Sequence, residues 1–343
     1  MSFDYVRELP SPDHLKELLP VSRATAEMRE ARVDLIKKVI SGDYERLLLI
    51  IGPCSADNEE AVVDYISRLA RVQEKVADKI LIVPRVYTNK PRTTGAGYKG
   101  MMHQPDPSKK PNAFEGIKAI RHMHIRVMEE TGLVAADEML YPDNFAFLDD
   151  VLGYVAVGAR SVENQQHRLT CSAVDIPVGM KNGTGGDVEI MFNAIKAAQA
   201  SHDFIFRGWE VSSSGNPYAH AVLRGGVNDK GMTIPNYHFE DLQWIGSQYE
   251  ALGVQHPAII IDTNHSNSGK KYEQQPRIAS EVMHSMRYDP LVKKLVKGFM
   301  IESYIEPGAQ KIEDHRIYGK SITDPCLGWR ETEAMIYEMA EKL

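Results

Sequence analysis

Eight short apolar segments recur along this chain, and amphipathic segments long enough to form crossover helices lie between most of them. The apolar segments are residues 47–51, 80–83, 133–136, 154–157, 176–180, 219–223, 258–261 and 298–301. Continuously apolar runs of this length are typical of parallel strands that are buried on both faces. Because the composition does not change along the chain, the pattern predicts one α/β domain, a (β/α)8 TIM barrel. A doubly wound sheet is the alternative, but no GxGxxG motif follows the first segment.

The first 46 residues precede the first predicted strand, and residues 24–40 have the pattern of a helix. We expect residues 1–46 to form a helical extension that closes the base of the barrel or contacts another subunit, and residues 47–343 to form the catalytic barrel. Three cysteines without a CxxC pair argue against a disulfide framework. With no apolar leader or membrane segment, a cytoplasmic protein is expected. The net charge of -7 excludes the global basic field that non-specific nucleic-acid binding uses.

Polar or charged residues follow all eight apolar segments. In barrel enzymes the active site forms at the C-terminal ends of the strands, so these positions are candidates for function. Four cations stand there, namely Arg85, Arg160, Lys181 and Arg224. At one barrel mouth they would repel one another unless an anion neutralised them, and guanidinium groups suit phosphate and carboxylate. The pattern therefore predicts a ligand that carries phosphate and carboxylate groups.

Three strand ends carry Cys54, His265 and Glu302, and Asp324 could add a fourth metal-binding side chain. A thiolate, an imidazole and carboxylates can together hold Mn2+, Fe2+, Co2+ or Zn2+. Taken singly, Cys54 could be an inert buried cysteine and His265 a hydrogen-bonded core histidine, but their placement at one mouth favours a metal site. The loop at 90–100 is rich in donors for phosphate, with a solvated basic loop as the alternative.

Six motifs give the chain a specific resemblance: IGPCS at 51–55, KPRTT at 90–94, GAR at 158–160, GMKNGT at 179–184, LRGG at 223–226 and YGKSITD at 318–324. Together they resemble the type I alpha 3-deoxy-D-arabino-heptulosonate 7-phosphate (DAHP) synthases, in unbroken order from about residue 15 to the C-terminus. The resemblance implies a transferase that condenses phosphoenolpyruvate with D-erythrose 4-phosphate and water, giving DAHP and phosphate. That reaction is the first step of the shikimate pathway to aromatic amino acids. The resemblance also implies a homo-dimer or homo-tetramer, with no nucleic-acid or membrane partner.

Roles for single residues follow from the same resemblance. One divalent metal ion, expected to be Mn2+ with Fe2+, Co2+ and Zn2+ as alternatives, would be held by Cys54, His265, Glu302 and Asp324. Phosphoenolpyruvate would be bound by Arg85, Lys90, Glu138, Gly158, Ala159, Arg160, Lys181 and Arg224. Erythrose 4-phosphate would be bound by Pro91, Arg92, Thr93 and Thr94. The residues expected to take part in the chemistry are Lys90, His265 and Cys54, with Lys90 or a metal-bound water as the proton donor to the new alkoxide.

Two other functions fit parts of the pattern. A 3-deoxy-octulosonate 8-phosphate synthase condenses phosphoenolpyruvate with a different aldose, and the KPRTT motif argues against it. A non-catalytic barrel that binds sugar phosphates would be expected to lack a metal ligand, whereas all four are present. Residues 204–216 look a few residues shorter than the hairpin at which regulated members bind Phe, Tyr or Trp, and Asp175 stands where a small uncharged residue is usual. We therefore predict weak or absent inhibition by aromatic amino acids.

Overall fold

The computed structural model describes residues 2–92, 95, 97–312 and 317–343. Eight parallel strands, numbered first to eighth in chain order, form the central sheet: Leu47–Gly52, Ile80–Pro84, Ala135–Glu138, Leu152–Val157, Val178–Lys181, Ala219–Leu223, Ile259–Asp262 and Val296–Glu302. They are hydrogen-bonded in the order 2-1-8-7-6-5-4-3. A parallel bridge between Arg85 and Ala136 joins the ends of the second and third strands, and the Val86 N–H donates to the Ala136 carbonyl at 2.8 Å. The sheet closes on itself, which confirms the predicted (β/α)8 barrel.

Successive side chains of each strand point to opposite faces of the sheet. In the first strand, Leu48 and Ile50 join the apolar cluster inside the barrel, whereas Leu49 and Ile51 pack in the layer beneath the outer helices. Three residues of the helix Arg23–Ser41 also belong to the interior cluster. That helix precedes the first strand and therefore covers the N-terminal base of the barrel, leaving the opposite mouth open.

The α-helices are Pro12–Leu18, Arg23–Ser41, Glu59–Val76, Ala113–Thr131, Gln165–Ala173, Val188–Gln199, Phe239–Ala251, Gln275–Tyr288, Pro290–Leu295 and Trp329–Lys342. Asparagine side chains cap the N-termini of three of them: Asn58, Asn112 and Asn164 each accept a hydrogen bond from a backbone N–H of the first turn. The crossover from the third to the fourth strand differs, since it contains only the 3-10 helix Pro142–Phe147. A second 3-10 helix spans Tyr272–Gln274. Across the described ranges, no helix is long and apolar enough to cross a membrane.

Among the described residues, three short two-stranded sheets lie outside the barrel. The antiparallel pairs are His202–Phe206 with Trp209–Ser213 and Gly226–Val227 with Thr233–Ile234, and the parallel pair is Glu306–Ala309 with Lys320–Ser321. The second pair follows the sixth barrel strand directly, so it stands at the open mouth of the barrel. The third pair carries the chain from the eighth strand towards Asp324.

Candidate active site

A cavity of about 540 Å³ opens at the C-terminal ends of the barrel strands. Seven lysine and arginine side chains line it against two carboxylates, so its described walls are strongly cationic. The lining residues are Arg85, Lys90, Pro91, Arg92, Glu138, Gly158, Ala159, Arg160, Lys181, Thr184, Gly185, Arg224, Val227, Thr233, His265, Ser266, Gly269, Lys270 and Asp324. All eight residues predicted to bind phosphoenolpyruvate line this one cavity, as do Pro91 and Arg92. Thr93 and Thr94, also predicted for the aldose, lie outside the described residues.

Cys54, Glu302 and Asp324 bring three metal-binding side chains together at the edge of this cavity. Their donor atoms all lie within 4.8 Å of one another, and the Cys54 thiol donates to Asp324 Oδ2 at 3.5 Å. Cys54 and Glu302 are buried, whereas Asp324 is half-buried. His265, the fourth predicted ligand, lines the same cavity but stands outside this group of three, with its Nδ1 2.9 Å from Asp262 Oδ2.

The ammonium group of Lys90 lies among these donors. Its Nζ donates to Cys54 Sγ at 2.7 Å and to Asp324 Oδ2 at 2.8 Å. Burial raises the pKa of Cys54, and so does the Glu302 carboxylate, while Lys90 opposes both. Burial also acts to raise the pKa of Asp324, but the charge and hydrogen bond of Lys90, together with the charges of Lys270 and His265, outweigh it and the pKa falls below its ordinary value. A thiol and two carboxylates gathered around a cation are a donor set that suits a divalent metal ion, so these residues fit one.

Arg85 and Glu302 form an ion pair inside the barrel mouth. Arg85 Nη2 lies 3.0 Å from Glu302 Oε1, and each side chain is only 2% exposed. The guanidinium also lies over the ring of Tyr87, with its Cζ 3.7 Å from the ring centroid. The second carboxylate oxygen, Glu302 Oε2, accepts a hydrogen bond from Asn264 Nδ2 at 2.6 Å. Glu302 is thus held from two sides, which fixes the direction in which it can offer an oxygen to a metal.

Asp262 ends the seventh strand and lies between two predicted site residues. Lys181 Nζ donates to its Oδ2 at 3.0 Å, and His265 Nδ1 lies 2.9 Å from the same oxygen. Burial acts to raise the pKa of Asp262, but His265 and then Lys181 outweigh it and hold the pKa well below its usual range. Asp262 is therefore a buried carboxylate charged at neutral pH, shared by one residue predicted to bind phosphoenolpyruvate and one predicted to bind the metal.

Arg160 and Arg224 have a different electrostatic setting. Within the described part of the chain, neither is in an ion pair with a carboxylate at 4.0 Å or less, although both line the cavity. Burial lowers the pKa of Arg224, and the nearby charge of Arg160 lowers it further, against the opposing effect of Asp262. Two neighbouring guanidinium groups without a carboxylate of their own are suited to a doubly charged ligand such as a phosphate group.

Glu138 and Gly158 face each other across the ends of the third and fourth strands. A Cβ atom placed on Gly158 would lie 2.1 Å from Glu138 Oε1, so a larger residue at position 158 would require that carboxylate to move. The backbone N–H of Glu138 donates to Asp137 Oδ1 at 2.7 Å, and the Thr88 N–H donates to the same oxygen at 2.8 Å. Asp137 thereby ties Glu138 to the loop that leads towards Lys90.

Several residues that support the site carried no predicted role. Three of them, Asp262, Asp137 and Asn264, lie at or just after strand ends. That position is the signal by which the sequence could have indicated them. Their contacts could not be predicted, because they involve residues far away in the sequence. Gln275 carried no such signal. It lies at the start of the helix Gln275–Tyr288, where its Oε1 accepts from the Glu302 N–H at 2.9 Å and its Nε2 donates to the Glu302 carbonyl at 2.8 Å.

Known proteins are similar to this chain over most of its length. The family model described as the DAHP synthetase I family matches residues 22–336. A Trp-sensitive phospho-2-dehydro-3-deoxyheptonate aldolase from Enterobacter agglomerans is 37% identical over 81% of this chain and 78% of its own length. A Tyr-sensitive one from Salmonella typhimurium is 35% identical over 98% of this chain and 93% of its own. A solved phospho-2-dehydro-3-deoxyheptonate aldolase from Francisella tularensis superposes with a TM-score of 0.92 at 28% identity, covering 99% of this chain and 98% of that one.

Proposed function

The chain belongs to the DAHP synthetase I family, and on that premise we propose that it catalyses the metal-dependent condensation of phosphoenolpyruvate with D-erythrose 4-phosphate and water to DAHP and phosphate. The observation that carries the proposal is the cationic cavity with the donor group Cys54, Glu302 and Asp324 at its edge. A cavity with seven cationic side chains suits two phosphorylated substrates, and the donor group suits a metal that activates one of them.

Phosphoenolpyruvate carries a phosphate and a carboxylate, and we assign both ends to cations of the cavity. The unpaired guanidinium groups of Arg160 and Arg224 are assigned to the phosphate, together with the backbone of Gly158 and Ala159, which lines the cavity beside them. The remaining contacts are assigned to Arg85, Lys90, Glu138 and Lys181. Their buried partners, Glu302 and Asp262, hold two of these cations in place before the substrate arrives.

The metal ion is assigned to Cys54, His265, Glu302 and Asp324, with Mn2+ as the first choice and Fe2+, Co2+ or Zn2+ as alternatives. When bound, it would supply a Lewis acid for the aldehyde carbonyl of erythrose 4-phosphate. Erythrose 4-phosphate is assigned to Pro91, Arg92, Thr93 and Thr94. Of the described residues in that set, Arg92 lines the cavity and its Nε donates to the Tyr98 carbonyl at 2.8 Å, which directs the guanidinium along the loop.

In the proposed reaction, C3 of phosphoenolpyruvate attacks the aldehyde carbon, water adds at C2, and phosphate leaves by cleavage of its bond to carbon. The cations of the cavity stabilise the negative charge that develops on the phosphate. Burial lowers the pKa of Lys90, but Cys54 and Asp324 together raise it above its ordinary value, so Lys90 is an ammonium at neutral pH. It can therefore donate a proton to the new alkoxide. His265, on the same wall, is proposed to assist that transfer.

A comparison of two aldoses tests this proposal. We expect phosphate release from phosphoenolpyruvate with erythrose 4-phosphate, little with arabinose 5-phosphate, and loss of activity on chelation that Mn2+ restores. A preference for arabinose 5-phosphate would instead indicate a 3-deoxy-octulosonate 8-phosphate synthase. No release with either aldose in a folded, metal-supplemented protein would indicate a binding barrel without catalysis. Activity that survives complete chelation would contradict the metal assignment alone.

Weak or absent feedback inhibition is proposed for the same chain. Its hairpin, His202–Phe206 with Trp209–Ser213, is joined by Arg207 and Gly208 alone, and this short turn limits the surface available to a bound amino acid. Because the curated relatives are named Trp-sensitive and Tyr-sensitive, this is a point at which the chain is proposed to differ from them. Initial rates should be unchanged when Phe, Tyr or Trp is added at up to about millimolar concentration. Clear inhibition below that concentration by any one of them would contradict the proposal.

A further inference from the structure

We propose that Asp262 is a positioning residue that sets Lys181 and His265 relative to each other, so that one buried carboxylate assembles both the phosphoenolpyruvate site and the metal site. The inference rests on the proposed function, because Lys181 and His265 are assigned there to the substrate and the metal. In this role Asp262 neither contacts the reacting atoms nor binds the metal, but both sites depend on its position.

The carboxylate of Asp262 is fixed on every side. Both site residues lie against Oδ2, with Lys181 Nζ at 3.0 Å and His265 Nδ1 at 2.9 Å. Oδ1 accepts the backbone N–H of Asn264 at 3.1 Å, and Asn267 Nδ2 donates to the Asp262 carbonyl at 2.8 Å. The side chain is 2% exposed. Both oxygens of this buried carboxylate have polar neighbours, so the end of the seventh strand sets the position of the two partners.

Lys181 depends on this carboxylate because it is itself buried. Its side chain is 6% exposed, and among the described residues Asp262 is its one ion-pair partner. Lys181 Nζ also lies 5.9 Å from the centroid of the Tyr87 ring. A buried ammonium without a counter-ion is costly, so removal of the charge on Asp262 should displace Lys181 from its place on the cavity wall.

His265 depends on Asp262 for the choice of ring nitrogen. A histidine that binds a metal through one nitrogen usually presents the other to a carboxylate or carbonyl, which sets the ring orientation. Here Nδ1 faces Asp262, although it lacks hydrogen-bond geometry, and Nε2 is left for the metal. The backbone of His265 is left-handed, with φ of 44°, and its carbonyl accepts the Lys270 N–H at 2.8 Å. This uncommon conformation is held by the loop, so the ring has few alternative positions.

Replacement of Asp262 by asparagine tests the inference, because Asp262→Asn keeps the shape and removes the charge. We expect the Kd for Mn2+, measured by electron paramagnetic resonance of free Mn2+, to increase about tenfold to a hundredfold. The Kd for phosphoenolpyruvate, measured by titration calorimetry without the aldose, should increase at least about fivefold, since a charge-assisted hydrogen bond is lost. In steady state, the KM for phosphoenolpyruvate should rise while the KM for erythrose 4-phosphate stays constant.

Two control variants separate this role from a general loss of stability. Lys181→Met should lose affinity for phosphoenolpyruvate and keep its affinity for Mn2+, because the contact between Asp262 and His265 remains. Asp289→Asn removes an aspartate that caps the helix Pro290–Leu295, so it should lower the Tm without changing either Kd. An Asp262→Asn protein with a wild-type circular dichroism spectrum that keeps either wild-type Kd would overturn the inference.

A measurement on the unaltered protein covers the case in which Asp262→Asn does not fold. Nitrogen-15 NMR of labelled histidine, with the His265 signal identified from a His265→Gln variant, reports which ring nitrogen carries a proton. A proton on Nδ1 of the metal-free protein supports the inference, and a neutral ring protonated only on Nε2 overturns it. If the wild-type protein binds neither Mn2+ nor phosphoenolpyruvate, the failure lies with the proposed function itself.

Discussion

Replacing Cys54 with alanine should lower the rate of DAHP formation at least about a hundredfold at saturating substrate. The substitution removes the thiol from the three donors that lie within 4.8 Å of one another. It also removes one of the two acceptors that hold the Lys90 ammonium. A metal Lewis acid contributes several kcal/mol to such a reaction, and every 1.4 kcal/mol is about tenfold in rate. Phosphate release with added Mn2+, and the metal content of the purified protein by emission spectrometry, check this expectation.

Cys171→Ala is the matched control for this experiment. Cys171 is also fully buried, but it lies on the helix Gln165–Ala173 and is not one of the three donors that lie within 4.8 Å of one another. It should retain the wild-type metal content and rate, because only packing is altered. Full activity in a metal-stripped Cys54→Ala protein would contradict the metal assignment. A loss of activity equal in both variants would show that a buried thiol was needed for packing rather than for chemistry.

The fold was predictable because apolar runs buried on both faces carry a strong pattern. All eight predicted strands are present, but three begin later than predicted, since pairing starts at Ala135 rather than at 133, at Val178 rather than at 176 and at Ile259 rather than at 258. The ladder also continues into polar residues such as Glu138 and Lys181. Backbone hydrogen bonds in a parallel sheet do not depend on side-chain polarity, so the end of an apolar run does not locate the end of a strand.

The site was predictable to the extent that strand ends converge at one barrel mouth. This rule, together with the motifs, placed Arg160, Lys181 and Arg224 on the wall of one cavity. It could not predict which carboxylate would neutralise which cation, because such pairs join residues 81 positions apart for Lys181 with Asp262 and 217 positions apart for Arg85 with Glu302. Partners of that kind are set by barrel closure and register, which a local pattern does not contain.

The pair of Arg85 with Glu302 leads to the second large expected effect. Arg85→Met should destabilise the metal-free protein by about 3–5 kcal/mol, because it leaves a buried carboxylate without its guanidinium. Nη2 and Oε1 are 3.0 Å apart, and both side chains are 2% exposed, so the partner that is lost is a buried one. Chemical unfolding by urea, or thermal unfolding where refolding is incomplete, measures the change. The assay contains no substrate, so the proposed role of Arg85 in binding phosphoenolpyruvate does not affect the result.

Two comparisons identify the uncompensated charge as the cause. The double variant Arg85→Met with Glu302→Gln removes both charges, and it should recover most of the loss. Arg23→Met breaks an exposed pair, in which Nε lies 2.8 Å from Glu27 Oε1 and the side chains are 93% and 62% exposed, so it should leave stability unchanged. A double variant less stable than Arg85→Met alone would contradict the explanation, because packing of the arginine on Tyr87 would then be the larger contribution.

The pH dependence of the loss gives an independent check. In the wild-type protein burial acts to raise the pKa of Glu302, but Arg85 and then His265 outweigh it, so the pKa is lowered. A lowered pKa stabilises the fold above the unfolded value of about 4.3, and that stabilisation is lost as pH falls through the folded value. Without Arg85, burial is less opposed and the pKa rises. Once the pKa of Glu302 in the folded variant exceeds its pKa in the unfolded chain, the variant loses stability as pH rises through the folded value. The deficit of Arg85→Met relative to wild type should therefore be larger at about pH 8 than at about pH 5, and an equal deficit would place the cause in packing.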